Sequence, residues 1–69
     1  MSTPEALFAE ANALQAKGDE VAAAAVFRRV IAAAPGYPPA HNNLGVALYR
    51  RGDAAGAEAA WRRAVALAP

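Results

Sequence analysis

Apolar residues recur along this 69-residue chain at helical spacing, and the pattern stops and restarts at regular points. Leu7, Ala11 and Leu14 stand at i, i+4 and i+7, and His41, Gly45 and Leu48 repeat the spacing; residues so placed share one face of an α-helix. Ala23, Phe27, Val30 and Ile31 make a second stripe, answered by Ala57, Trp61, Ala64 and Val65. Between the stripes lie Gly-Asp and Pro-Gly breaks in an alanine-rich background, which favours helices joined by short turns over strands.

Four helices are predicted. The first opens at Ser2 or Thr3, with Pro4 at an early helical position and Glu5 three residues after Ser2, the spacing of a capping box. It ends at Lys17, because Gly18 can take the left-handed conformation that closes a helix. Asp19 caps the second helix, which runs to about Ala34. Pro35-Gly36-Tyr37-Pro38-Pro39 then breaks the chain, since proline cannot continue a helix. The third begins at Pro38 or Pro39 and ends at Arg51, and the fourth covers about residues 54 to 68 after Gly52 and Asp53 repeat the stop and the cap. Turns this short fold each pair into an antiparallel hairpin. The stripes should face inward, with Ala11 near Ala23 and Gly45 near Ala57 letting two helices approach while Phe27 or Trp61 fills the space beside them.

The two hairpins are copies of one unit. Arg28-Arg29 through Pro35 returns as Arg62-Arg63 through Pro69, 34 residues later, and the same offset carries Lys17-Gly18-Asp19 onto Arg51-Gly52-Asp53. Alanine identities are cheap in a chain holding 22 of them, but the shared Leu, Gly, Asp, Arg and Pro positions are not. A period in the thirties signals a repeated supersecondary unit whose contacts run mainly to its neighbours.

Composition narrows the chemistry. One domain of this length buries only roughly 60% of its unfolded surface, leaving little room for an enclosed active site. No cysteine is present, so disulfides and thiolate zinc sites are excluded. A net charge of +1 is too small to argue for nucleic acid or an acidic membrane. The N-terminus does not read as a signal peptide, and the apolar stretch from Val21 to Phe27 falls far short of the roughly 20 residues of a membrane span. A soluble, cytoplasmic chain is expected. His41 has no second histidine or cysteine beside it and reads as a packing or helix-start residue. No Gly-rich phosphate loop, nucleophile elbow or acid pair occurs, so no catalytic residue, metal or cofactor is expected.

On these residues the chain resembles the tetratricopeptide repeat, a 34-residue helix-turn-helix with the pattern W-x2-L-G-x2-Y, A-x3-F, P. The second copy reads His41-x2-Leu44-Gly45-x2-Leu48, Ala57-x3-Trp61, Pro69, with Asn42-Asn43 and Arg51-Gly52-Asp53 also typical. The first is looser: Leu7-x2-Glu10-Ala11-x2-Leu14, Ala23-x3-Phe27, Pro35, with Glu10 in an apolar position. A charge there suits a solvated outer face at the end of a stack. The resemblance implies an all-α fold of two tandem hairpins forming a short right-handed α-solenoid segment. It would be a single domain over residues 1 to 69, with repeats at about 4 to 37 and 38 to 69.

What the resemblance implies for function is a non-catalytic interaction or assembly scaffold whose first helices line a concave groove for a protein or peptide. The groove residues would be Glu5, Phe8, Asn12 and Gln15 from the first repeat, and Asn42, Asn43, Val46, Tyr49 and Arg50 from the second. Asn12 and Asn43 match positions where one subfamily holds a peptide backbone or terminal carboxylate, but that subfamily has lysine where this chain has Phe8. Phe8, Val46 and Tyr49 point instead to a partly apolar groove for a hydrophobic segment or amphipathic helix. The fourth helix would lack a following helix to cover it. Ala60, Trp61, Ala64, Val65, Leu67 and Ala68 would then mediate self-association, with a dimer ahead of other states. The pairs Arg28-Arg29, Arg50-Arg51 and Arg62-Arg63 leave an RNA-binding helical repeat as the alternative, and an engineered or truncated fragment without a ligand as a third reading.

Overall fold

The computed structural model describes residues 3 to 67. Its elements are α1 (Pro4–Ala16), α2 (Glu20–Ala33), α3 (Pro38–Arg50) and α4 (Ala54–Leu67). Local chemistry sets the boundaries. Thr3 caps α1, its Oγ1 accepting from the Ala6 N–H at 3.1 Å, with Pro4 following. Of the two expected starts the structure takes Thr3; the capping box expected between Ser2 and Glu5 involves Ser2, which lies outside the described residues.

The two hairpin turns are built alike. Gly18 (φ 83°) and Gly52 (φ 89°) take left-handed geometry that a side chain would resist. Their neighbours' N–H groups then reach back, Asp19 to Leu14 O at 3.0 Å and Asp53 to Leu48 O at 2.9 Å, satisfying carbonyls that a helix end leaves free. Each aspartate also restarts the chain: Asp19 Oδ1 accepts from Ala22 N at 3.2 Å and Asp53 Oδ1 from Gly56 N at 2.9 Å. The first three helices stop one residue before the expected ends, with Lys17, Ala34 and Arg51 in the cap positions. The fourth is helical to Leu67, the last described residue, and its expected end at Ala68 lies outside the described residues.

Packing follows chain order. α1 lies on α2, α2 on α3, and α3 on α4, while α1 touches α3 only slightly. Leu7, Ala11, Ala23, Phe27, Val30, Leu48 and Ala57 are buried as their stripes require, and Ala24, Val26, Ala40, Leu44 and Ala47 join them. His41 is buried as well, and its Nε2–H donates to Pro35 O at 2.9 Å, tying the start of α3 to the preceding linker. Val65, placed on the inward stripe of the fourth helix, is instead 67% exposed. Its face of α4 has no neighbouring helix among the described residues.

Within the second hairpin Gly45 lies tight against Trp61. A methyl group at Gly45 would lie 2.9 Å from Trp61 Cε2 and nearer still to Nε1 and Cδ1. The indole N–H donates to Asn42 O at 3.2 Å, which fixes the ring in that notch. The first hairpin carries Ala11 and Phe27 at the same two places, both with no exposure. A smaller ring is matched by a larger partner, so the two copies fill similar space in different ways. Gly45→Ala should therefore destabilise the chain by about 1–2 kcal/mol, the overpacking cost outweighing the better helix propensity of alanine. Adding Trp61→Phe should recover part of the loss in a thermal or urea melt. A Gly45→Ala protein with unchanged stability would contradict this packing.

Candidate binding groove and its surroundings

The residues expected to line a groove fall into three groups according to what they touch. At the centre, four amides from α1 and α3 converge. Asn43 Nδ2 donates to Asn12 Oδ1 at 2.9 Å, Gln15 Nε2 donates to Asn43 O at 3.1 Å, and Asn42 Nδ2 donates to Asn43 Oδ1 at 3.3 Å. This cluster joins the hairpins across a 31-residue separation in sequence. Each carboxamide has two donor hydrogens and two acceptor sites, more than these bonds use. The cluster is thus both a tie between repeats and a source of further donors and acceptors. Val46 is half-buried on α3, one turn beyond Asn42.

At the N-terminal end, Phe8 is partly buried. Its ring meets Tyr37 edge-on at a centroid distance of 5.2 Å and tilts against Phe27 at 5.9 Å. Phe8 thus serves the packing of the first hairpin as well as its surface. Glu5 is exposed and, with Pro4, Ala34 and Tyr37, lines a cavity of about 130 Å³. Tyr37 was not anticipated as a surface feature. The proline-flanked linker that carries it reads only as a helix breaker.

Tyr49 and Arg50, at the end of α3, engage elsewhere. Tyr49 is 61% exposed and lies 5.9 Å from the Trp61 ring on α4. Arg50 Nη1 pairs with Glu20 Oε2 at 3.3 Å, joining the end of α3 to the start of α2. The Glu20 side chain is only 14% exposed, and its Oε1 has no hydrogen-bond partner. Its charge sits at the first residue of α2, where the helix dipole favours an anion. Glu20 was invisible as a contact because an acidic residue at a helix start already has a local explanation.

The surface of α4 is more divided than its composition suggests. Ala60, expected on the free face, is 8% exposed and belongs to the chain's own core, since it lies 34 residues after buried Val26 on the same inward side. Trp61 is half-buried over Gly45, Ala64 and Leu67 are half-buried, and Val65 is exposed. Ala68 lies outside the described residues. Arg62 pairs with Glu58 one turn back on the same helix. No cluster of three or more His, Asp or Glu side chains among the described residues could hold a metal ion. No helix there is long and apolar enough to cross a membrane.

Two tandem hairpins with the same glycine stop, aspartate restart and small-residue contact define a helical-repeat protein. Tetratricopeptide repeat models match residues 38–69 and residues 4–29. The chain belongs to the tetratricopeptide repeat family, whose members are generally non-catalytic modules for protein–protein interaction or scaffolding. No curated protein and no solved structure matches it.

The Glu20–Arg50 pair yields a direct expectation. Arg50→Ala leaves a largely buried carboxylate without its counter-charge and should cost about 1 kcal/mol in a urea melt. Glu20→Gln combined with Arg50→Ala should cost less than the sum of the two single changes. Additive losses would show that the pair is not coupled.

Proposed function

We propose that the chain is a protein-interaction module that holds a short peptide or helix against α1 and α3 and associates with itself through α4. The observation that carries the groove reading is the amide cluster of Asn12, Gln15, Asn42 and Asn43. Its spare donors and acceptors suit a peptide main chain, which needs both. Half-buried Val46 and exposed Tyr49 supply apolar contact beside the cluster. Phe8, where a carboxylate-binding subfamily has lysine, favours an apolar segment over a charged chain end. Self-association is supported by the exposure of Val65 and by α3 being the one helix packed on α4 among the described residues.

Selection of a random peptide library on the immobilised chain tests the groove. Peptides with apolar residues should be enriched, and their binding should vary little with salt. Asn12→Ala and Val46→Asp should each weaken binding by roughly tenfold or more while the helical signal is kept. Binding that falls steeply with salt and needs no Asn12 would point to phosphate-type contacts and the RNA alternative. Peptides that bind these variants as well as the unmodified chain would refute the groove.

A further inference from the structure

The linker between the hairpins builds a cavity against the start of α1. Three contacts hold Tyr37 and its linker in place: the Tyr37 N–H donates to Ala34 O at 3.2 Å, its ring meets Phe8 edge-on at 5.2 Å, and His41 bonds Pro35 O at 2.9 Å. The cavity of about 130 Å³ that Tyr37 lines with Pro4, Glu5 and Ala34 is therefore preformed. A cavity of about 150 Å³ takes one benzene ring, so this space suits a single side chain and not a length of peptide or helix.

The walls decide which side chain. Pro4, Ala34 and most of Tyr37 are apolar, and the charge among the lining residues is the Glu5 carboxylate, which has no ion-pair partner among the described residues. Two helix ends also meet here. The start of α1 carries roughly +0.5 of a charge and the end of α2 roughly −0.5, so the two dipoles offset one another and Glu5 sets the sign of the site. α2 has no basic residue in its own last turn to answer that end.

Three occupants can be compared. An acidic side chain would be repelled by Glu5. A purely aliphatic one would fill the walls but take water from the carboxylate without replacing it. A lysine lays its aliphatic stem along the apolar walls and brings its ammonium to the carboxylate, as long basic side chains do on apolar surfaces. The aromatic wall beside the carboxylate adds to the attraction for a cation.

We propose that this cavity is a binding site for a lysine side chain, with Glu5 as its counter-charge and Pro4, Ala34 and Tyr37 as the walls for its stem. The groove gives the site a wider setting. Glu5, Phe8, Asn12 and Gln15 share one face of α1, and Glu5 lies roughly 10 Å along the helix from Asn12. An extended peptide covers that distance in about three residues, so a lysine that far from the segment on the amide cluster would reach the cavity. This spacing rests on the groove reading above; the cavity site itself does not.

Titration of the isotope-labelled 69-residue chain with N-acetyl-lysine methylamide tests the site, with the norleucine counterpart as a probe of similar stem and no charge. Shifts followed by NMR should concentrate at Glu5, Ala34 and Tyr37. The lysine probe should bind about two- to fivefold tighter, the size expected of an ion pair at an exposed carboxylate. Glu5→Gln should bring the two probes to equal affinity, and Glu10→Gln should leave the preference intact. Both positions are exposed, so the helical signal should be unchanged in either variant. A norleucine probe that binds as tightly as the lysine one would overturn the proposal in favour of an apolar occupant. A preference that survives Glu5→Gln would place the cation elsewhere, and the absence of localised shifts at any soluble probe concentration would remove the site. These probes carry no segment for the amide cluster, so each of those results leaves the groove standing. Peptides indifferent to Asn12→Ala would refute the groove and leave the cavity site standing.

Discussion

A helical hairpin cannot cover both sides of its second helix, and this constraint shapes the rest of the molecule. α2 is enclosed because α1 packs on one side and α3 on the other, and Phe27 and Val30 lose all contact with solvent between them. α4 carries a matching stripe, but α3 is its one neighbour among the described residues. Its aromatic residue is half-buried and Val65 is exposed. The difference between the two helices is one of coverage, since the residues that face their own hairpin partner, Ala23 and Ala57, are both fully buried.

Within each hairpin the close approach depends on the sum of two side chains rather than on either one. Ala11 with Phe27 and Gly45 with Trp61 are alternative solutions to the same spacing. The larger ring carries an additional constraint, because its N–H must find an acceptor and does so at Asn42 O. That bond places the indole beside the α3 surface that also carries the amide cluster. Packing of the hairpin and the position of the amide cluster are therefore coupled through one residue pair.

Much of this was legible in the sequence because it depends on local rules. Left-handed glycine, the capping aspartates and the proline break each act within a few residues, and they locate the helix boundaries that lie among the described residues to within about a residue. Burial of Phe27 and Leu48 followed from periodicity. Contacts made between hairpins were harder to read. Arg50 was assigned to the groove on position, but an arginine has enough reach to choose among several acceptors, and it took Glu20. Asn12 and Asn43 were paired in a common role without any sign that they bond each other. Ala60 was read as surface because alanine carries no polarity signal to separate a free face from a buried one.

Coverage of α4 is the central claim, and amide hydrogen exchange measured residue by residue at low and high protein concentration tests it most directly. In dilute solution α2 should exchange more slowly than α4, because α2 is enclosed on both sides. Raising the concentration should slow exchange in α4, with α1 unchanged. Equal protection of α2 and α4 at every concentration would contradict the account.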